Sequence, residues 1–141
     1  MAKVLEALIS KGRRVRRPRE QKEVAFGLAD ISTHEELLER MVHKGAVKSL
    51  LLLLTKSQDN DAQRFSALAL ANACSADFNR TRIASEGAIK VLVEYIKEDD
   101  NDMIGRQYCA MALGNLAAEP ENHMEIIKTN GLPSSSLIPL I

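Results

Sequence analysis

A chain of 141 residues with 45% hydrophobic and 27% charged residues has the makeup of a folded domain and not of a disordered segment. Lysine plus arginine balances aspartate plus glutamate at 19 each, so no net field draws the whole chain to nucleic acid or to an anionic membrane. Tryptophan is absent and aromatics are 4%, which leaves Leu, Ile, Val, Ala and Met to fill a core.

In chain order, the first segment reads as two helices, over 4–9 and 18–32, with Pro18 allowed in the first helical turn. Between and into them run Arg13, Arg14, Arg16, Arg17 and Arg19. Three readings of this run stay open. It is a solvated loop, or it docks an acidic or phosphorylated partner through bidentate guanidinium contacts, or it touches nucleic acid or acts as a localisation signal. No aromatic residue interleaves the arginines, which argues against single-strand binding by stacking, and nucleic acid is not an expected partner.

From Thr33 the spacing to Glu36 predicts a capping box that opens a helix with Leu37, Leu38, Met41 and Val42 as its apolar stripe. Gly45 supplies a bend, 46–54 is a helix apolar nearly all round and so buried, 57–61 is a polar loop, and 62–76 is a longer helix. The pattern then recurs. Asp77 is expected to cap, Ile83 and Ala84 to pack, Gly87 to bend, 88–97 to form the buried helix, and 98–102 an acidic loop. The helix over 103–118 carries one extra residue, which predicts an irregular start near Ile104 and Gly105. Beyond it lie a helix over 120–128 and a further helical segment after Gly131, interrupted by Pro139.

The repetition is the main signal. Gly45, Gly87 and Gly131 are 42 and 44 residues apart (87 − 45 and 131 − 87), and Asp30, Asn72 and Asn115 are 42 and 43 apart (72 − 30 and 115 − 72). A helical period near 40 residues predicts stacked units, each too small to bury its own apolar face. The division that follows is a partial repeat over 1–32 (helices two and three), whole repeats over 33–76 and 77–118, and a partial repeat over 119–141 (helices one and two). Two whole units between complementary halves are expected of a piece of a longer protein.

The motifs carry a resemblance. The second helices begin Gly45-Ala46-Val47-Lys48-Ser49-Leu50-Leu51 and Gly87-Ala88-Ile89-Lys90-Val91-Leu92-Val93. The third helices contain Ala67-Leu68-Ala69-Leu70-Ala71-Asn72-Ala73 and Ala110-Met111-Ala112-Leu113-Gly114-Asn115-Leu116, with a looser copy at Ala25-Phe26-Gly27-Leu28-Ala29-Asp30-Ile31. Over nearly its whole length the chain resembles the armadillo-repeat family; HEAT repeats lack this glycine-and-asparagine layout. The resemblance implies an all-α, right-handed α-solenoid, an armadillo-type superhelix whose third helices line a concave groove. It also implies a protein–protein interaction scaffold that binds an extended or helical partner segment there.

Helical geometry places Asn72, Leu68, Phe65 and Arg64 on one side of their helix and Leu70, Ala67, Ser66 and Gln63 on the other. The groove rows are then Asp30, Asn72 and Asn115; Phe26, Leu68 and Met111; Lys22, Arg64 and Gln107; and, as a fourth, Glu23, Phe65 and Tyr108. An amide both donates and accepts, so Asn72 and Asn115 can pair with a peptide backbone of any sequence; they can equally bond the backbone of the next unit. Asp30 only accepts. Nuclear-import adaptors of the family hold tryptophan where this chain has Phe26, Leu68 and Met111, so that role is not implied. The rival readings are a purely structural stretch of a larger armadillo protein and polyanion binding through the arginine run.

Signals for catalysis are missing from the sequence. His34, His43 and His123 stand apart from one another, Ser134, Ser135 and Ser136 have no base beside them, and no glycine-rich phosphate loop is present. The carboxylates at 59–61 and 98–102 lack calcium-loop spacing and read as solvated. No enzyme activity, cofactor or metal is therefore expected. Cys74 and Cys109 sit among Ala and Leu without CxxC spacing, as buried reduced thiols, which suits a cytoplasmic location, with nuclear also open. The longest apolar run is too short to span a bilayer, the N-terminus lacks a signal-peptide layout, and Ala2 stands where myristoylation needs glycine. Uncovered apolar faces at Ile126, Ile127, Leu137, Ile138 and Leu140 predict end-to-end self-association.

Overall fold

The computed structural model describes residues 2–130. They form α1 (Ala2–Gly12), α2 (Pro18–Ile31), α3 (Leu38–His43), α4 (Ala46–Lys56), α5 (Asn60–Cys74), α6 (Asp77–Ser85), α7 (Ala88–Lys97), α8 (Met103–Leu116) and α9 (His123–Asn130). Single 3-10 turns at Glu35–Leu37 and Pro120–Asn122 lead into α3 and α9. No strand occurs among the described residues.

Each helix packs on its counterpart one period away. α5 lies between α2 and α8, α4 between α1 and α7, and α3 beside α6. The result is an α-solenoid with α2, α5 and α8 as one layer and α1, α4 and α7 as the layer behind it. The core runs continuously between them. Leu50, Leu53, Leu54, Leu70, Ile83, Ile89, Leu92 and Leu116 are buried to 2% exposure or less. Burying one such side chain stabilises by about 1.5–3 kcal/mol, which no single unit could collect alone. α5 divides as its sequence demands: Ser66, Ala67 and Leu70 are buried, while Arg64, Phe65, Leu68 and Asn72 remain half-buried. Ala69, Ala71 and Ala73 are also buried, because α5 is flanked on two sides as well as backed.

Gly45 and Gly87 are the N-caps of α4 and α7 at φ 98° and 89°, the only positive φ values among the described residues. At Gly87 a β-carbon is disfavoured on backbone grounds alone, since it would meet nothing within 4 Å, whereas at Gly45 it would also lie 2.7 Å from Arg13 Nη2. Gly105 is required for a different reason. A Cβ there would lie 2.8 Å from the Tyr95 hydroxyl, which donates to Gln63 Oε1 at 2.5 Å.

Several expectations about helix ends are corrected. Thr33 forms no capping box. Its hydroxyl donates backwards to Asp30 O at 2.7 Å, closing α2, and the next turn starts at His34 without a side-chain cap. Asp77 lies inside α6, not at its cap, because only Ser75 and Ala76 separate it from α5 and the cap falls on Ala76. The start of α8 is regular. Asp102 caps it, and the extra residue is taken up in the preceding turn, where Asn101 N donates to Glu98 O at 3.0 Å and Asn101 Nδ2 to Tyr95 O at 3.0 Å. Nor is Ile126 uncovered: α9 packs on α7, leaving Ile126 2% exposed and Ile127 half-buried. The expected segment after Gly131, with Ser134–Ser136, Leu137, Ile138, Pro139 and Leu140, lies outside the described residues.

Replacing Gly87 by alanine isolates the backbone term, because space is not limiting. We expect Gly87→Ala to lower stability by about 1–2 kcal/mol in urea denaturation. An unchanged midpoint would mean that the left-handed bend is not needed at this position.

Candidate functional site

The face presented by α2, α5 and α8 is set by a fixed count from each helix start. From N-cap to row residue the interval is 13 in all three helices (30 − 17, 72 − 59 and 115 − 102), with Arg17, Asp59 and Asp102 as the caps. Lys22, Phe26 and Asp30 are exposed on α2; Arg64, Leu68 and Asn72 are half-buried on α5; Gln107 and Met111 are exposed and Asn115 half-buried on α8. The structure thus brings the sequence-derived rows onto three adjacent helices.

Much of their polar chemistry is directed at the neighbouring unit. Asn72 Nδ2 donates to Ser32 Oγ at 3.0 Å, and Asn115 Nδ2 donates to Ala71 O at 3.3 Å. Each amide retains an oxygen that accepts no hydrogen bond from the described residues. The buried asparagines at the starts of the short helices are purely internal. Asn79 Nδ2 donates to Leu38 O and Ala73 O, and Asn122 Nδ2 to Leu116 O. His123 Nε2 lies 2.7 Å from Ala117 O.

The charged row is also engaged. Lys22 Nζ lies 3.1 Å from Asp61. Arg64 grips Asp102 with two bonds, Nε to Oδ2 at 2.8 Å and Nη2 to Oδ1 at 2.7 Å. Asp102 Oδ2 also accepts from Gly105 N at 2.8 Å, and its side chain is 8% exposed. The Arg64 hydrogen bond outweighs the opposing effect of desolvation and holds the Asp102 carboxyl below its ordinary range; the same contact raises the Arg64 guanidinium. Asp59 caps α5 by accepting from Ala62 N at 2.8 Å. These two aspartates are therefore structural caps, which corrects the expectation that the acidic loops are simply solvated.

Besides Asp30 and Gln107, the large apolar side chains of Phe26 and Met111 remain open on this face. Phe26 and Phe65 meet edge to face, with centroids 5.1 Å apart and planes at 72°. With Arg19, Lys22 and Glu23 they line a cleft of about 390 Å³. Phe26 is 56% exposed and Met111 is 55% exposed. The pairing of Phe26 with Phe65 is diagonal, since the row-mate of Phe26 is Leu68. The sequence signal for it is a spacing of 39 (65 − 26), one turn short of the 42-residue row interval.

The arginine run is partly tied down. Arg13 Nη2 donates to Gly45 O and Arg14 Nε to Ser10 O, each at 3.3 Å. Arg17 and Arg19 lie 3.9 and 3.6 Å from Glu20 and Glu23. Cys74 and Cys109 are buried free thiols, each pushed up to about 12 by desolvation. No helix among the described residues is long and apolar enough to cross a membrane.

No protein-family model matches the sequence, and no curated protein matches it closely enough to count as a relative. Solved structures do match. One engineered protein from a structural genomics consortium is 30% identical with a TM-score of 0.78, over 89% of this chain and 51% of its own. A second engineered protein from the same consortium is 32% identical with a TM-score of 0.81, over 96% and 32%. A computationally designed armadillo repeat protein for modular peptide recognition is 21% identical with a TM-score of 0.80, over 92% and 54%. The chain spans between about a third and about half the length of these structures. Its fold is an armadillo-like repeat fold.

The Arg64–Asp102 contact generates a pH test. A carboxylate depressed in the folded state contributes stability above its unfolded value, near 3.8, and loses it as pH falls through the lower folded value. Asp102→Asn should therefore lower the urea midpoint clearly at neutral pH, and the gap to the native protein should narrow below pH 4 or so. A gap that stays constant down to the acid limit would rule out charge as the source of the effect.

Proposed function

We propose that the chain is a protein–protein interaction scaffold that holds an extended or helical partner segment against α2, α5 and α8. The units are those of the sequence period: a partial repeat over 1–32, repeats over 33–76 and 77–118, and a partial repeat over 119–141. The observation that carries the reading is the cleft walled by Phe26 and Phe65, which leaves two aromatic rings accessible on a face where Lys22 and Arg64 are already paired with carboxylates. Aromatic anchors in desolvated pockets supply most of the binding energy at interfaces. Met111 extends the apolar surface onto α8, and the unspent oxygens of Asn72 and Asn115 lie in the row beside it, able to accept from a peptide backbone.

The inward bonds of Asn72 and Asn115 support the structural reading for those two amides, so the apolar cleft leads and the asparagines assist. A partner segment is expected to insert an apolar side chain between the rings. The similarity to a designed peptide-recognition protein concerns the fold and adds no contact residue.

Panning a displayed random-peptide library against the whole chain tests this directly. Enriched peptides should carry a shared apolar anchor, and Phe26→Ala should weaken them by about tenfold, or roughly 1.4 kcal/mol. Asn72→Ala combined with Asn115→Ala should weaken them less. Failure to enrich any peptide, or full affinity in the Phe26 variant, would assign these units a structural part only.

A further inference from the structure

The groove reading leaves the arginine run unused. In the structure it forms the turn between α1 and α2, and that turn is held from both sides. Arg14 N and Val15 N both donate to Lys11 O at 3.0 Å, and Gln21 Nε2 donates to Val15 O at 3.2 Å. Together with the end of α4 the turn walls a cleft of about 280 Å³. Arg13, Arg14, Arg16 and Lys56 line it beside Gln21, and no carboxylate does. Lys56 reaches this place only through the stacking of α4 on α1, which sequence proximity could not show.

These cations are positioned without being neutralised. Arg13 and Arg14 bond backbone carbonyls, at Gly45 and Ser10, and Arg16 and Lys56 make no ion pair among the described residues. Arg17 and Arg19, outside the cleft, face Glu20 and Glu23 instead. The contrast extends to the helix starts: Asp59 and Asp102 cap α5 and α8, whereas α2 has Arg17 there with no side-chain cap bond. The equivalent cleft one period on, lined by Ser57, Gln63, Tyr95 and Asn101, includes the carboxylates of Glu94 and Glu98. In the first unit no carboxylate lines the cleft.

We propose that this cleft binds a phosphorylated side chain of a partner peptide. A phosphomonoester carries close to two charges and three acceptor oxygens, enough to engage several of these cations at once. A long polyanion fits less well. The corresponding loop before α8 carries Glu98, Asp99 and Asp100, so a nucleic acid following that edge meets repulsion. No aromatic ring lines the cleft for a base to stack on. The site shares no lining residue with the Phe26–Phe65 cleft, so it stands or falls separately from the groove.

Fluorescence anisotropy on the whole chain tests the proposal with three labelled probes: a short Gly/Ser/Ala peptide with one phosphoserine, its unphosphorylated twin, and a thymidine oligonucleotide. The phosphopeptide should bind, inorganic phosphate should compete, and the twin should not bind. Lys56→Gln and Arg16→Gln should each weaken binding by about tenfold, since each removes a charge-assisted contact. Arg19→Gln and Phe26→Ala should leave it unchanged. Affinity should fall as pH drops through about 6, where the phosphate loses its second charge. Matching thermal unfolding of the variants shows that a loss is not misfolding. No binding of the phosphopeptide, equal binding of the twin, tighter binding of the oligonucleotide, or full affinity in both charge variants would each overturn the assignment.

Discussion

Register between consecutive units is the constraint on which the rest depends. It is fixed by polar bonds that span close to one period. Ser49 Oγ donates to Ile9 O across 40 residues, Asn79 Nδ2 to Leu38 O across 41, and Asn115 Nδ2 to Ala71 O across 44. Arg64 and Asp102 add a charged bond across 38. Apolar contact alone is non-directional and would tolerate a slip of one helical turn. A buried hydroxyl or amide left without its partner costs about 1–3 kcal/mol, so these groups allow one register and penalise the others.

That constraint explains why much of the polar chemistry on the α2, α5 and α8 face is already engaged. A polar side chain on a third helix stands close to a neighbouring unit, and that unit offers a carbonyl or hydroxyl on the preceding side or a carboxylate on the following side. Asn72, Asn115, Lys22 and Arg64 all find such partners. Phe26 and Met111 cannot, and they stay exposed. Stacking therefore limits what the surface can offer: several polar positions hold the stack together, while Asp30, Gln107, Phe26 and Met111 stay exposed.

Much of the architecture was legible from spacing. Gly45 and Gly87 mark bends because few residues adopt that backbone, and the helices between them follow from apolar content alone. Cys74 and Cys109 were legible as buried thiols for the same reason. The starts of α2, α4, α7 and α8 were legible as well, but the side-chain caps were not. Thr33 followed by Glu36 fits a capping box, yet the Thr33 hydroxyl has a nearer acceptor in Asp30 O, and a local pattern cannot reveal which acceptor is nearer. Asp59 and Asp102 looked like members of solvated acidic loops, because their roles depend on where the following helix begins. Among site residues, the row positions were legible. The diagonal pairing of Phe26 with Phe65 was not, since it needs the lateral offset between α2 and α5 as well as the period.

One recurrent position separates units closed on themselves from one that is not. Asp102 accepts from the backbone of its own helix and from Arg64 of the preceding unit, so one carboxylate offsets a helix N-terminus and a guanidinium together. Asp59 caps in the same way, and Asp61, two residues on, faces Lys22 of the preceding unit. In the first unit that position is Arg17, which adds positive charge where the helix end is already positive. The turn persists because its geometry is maintained by Gln21, by the Lys11 carbonyl and by Pro18, none of which carries compensating charge. Hydrogen bonding fixes the shape of this corner; Glu20 in the first turn of α2 faces Arg17, while Arg16 has no carboxylate partner among the described residues. On the proposal above, a phosphate in the adjoining cleft would supply the negative charge that the chain itself does not place beside Arg16 and Lys56.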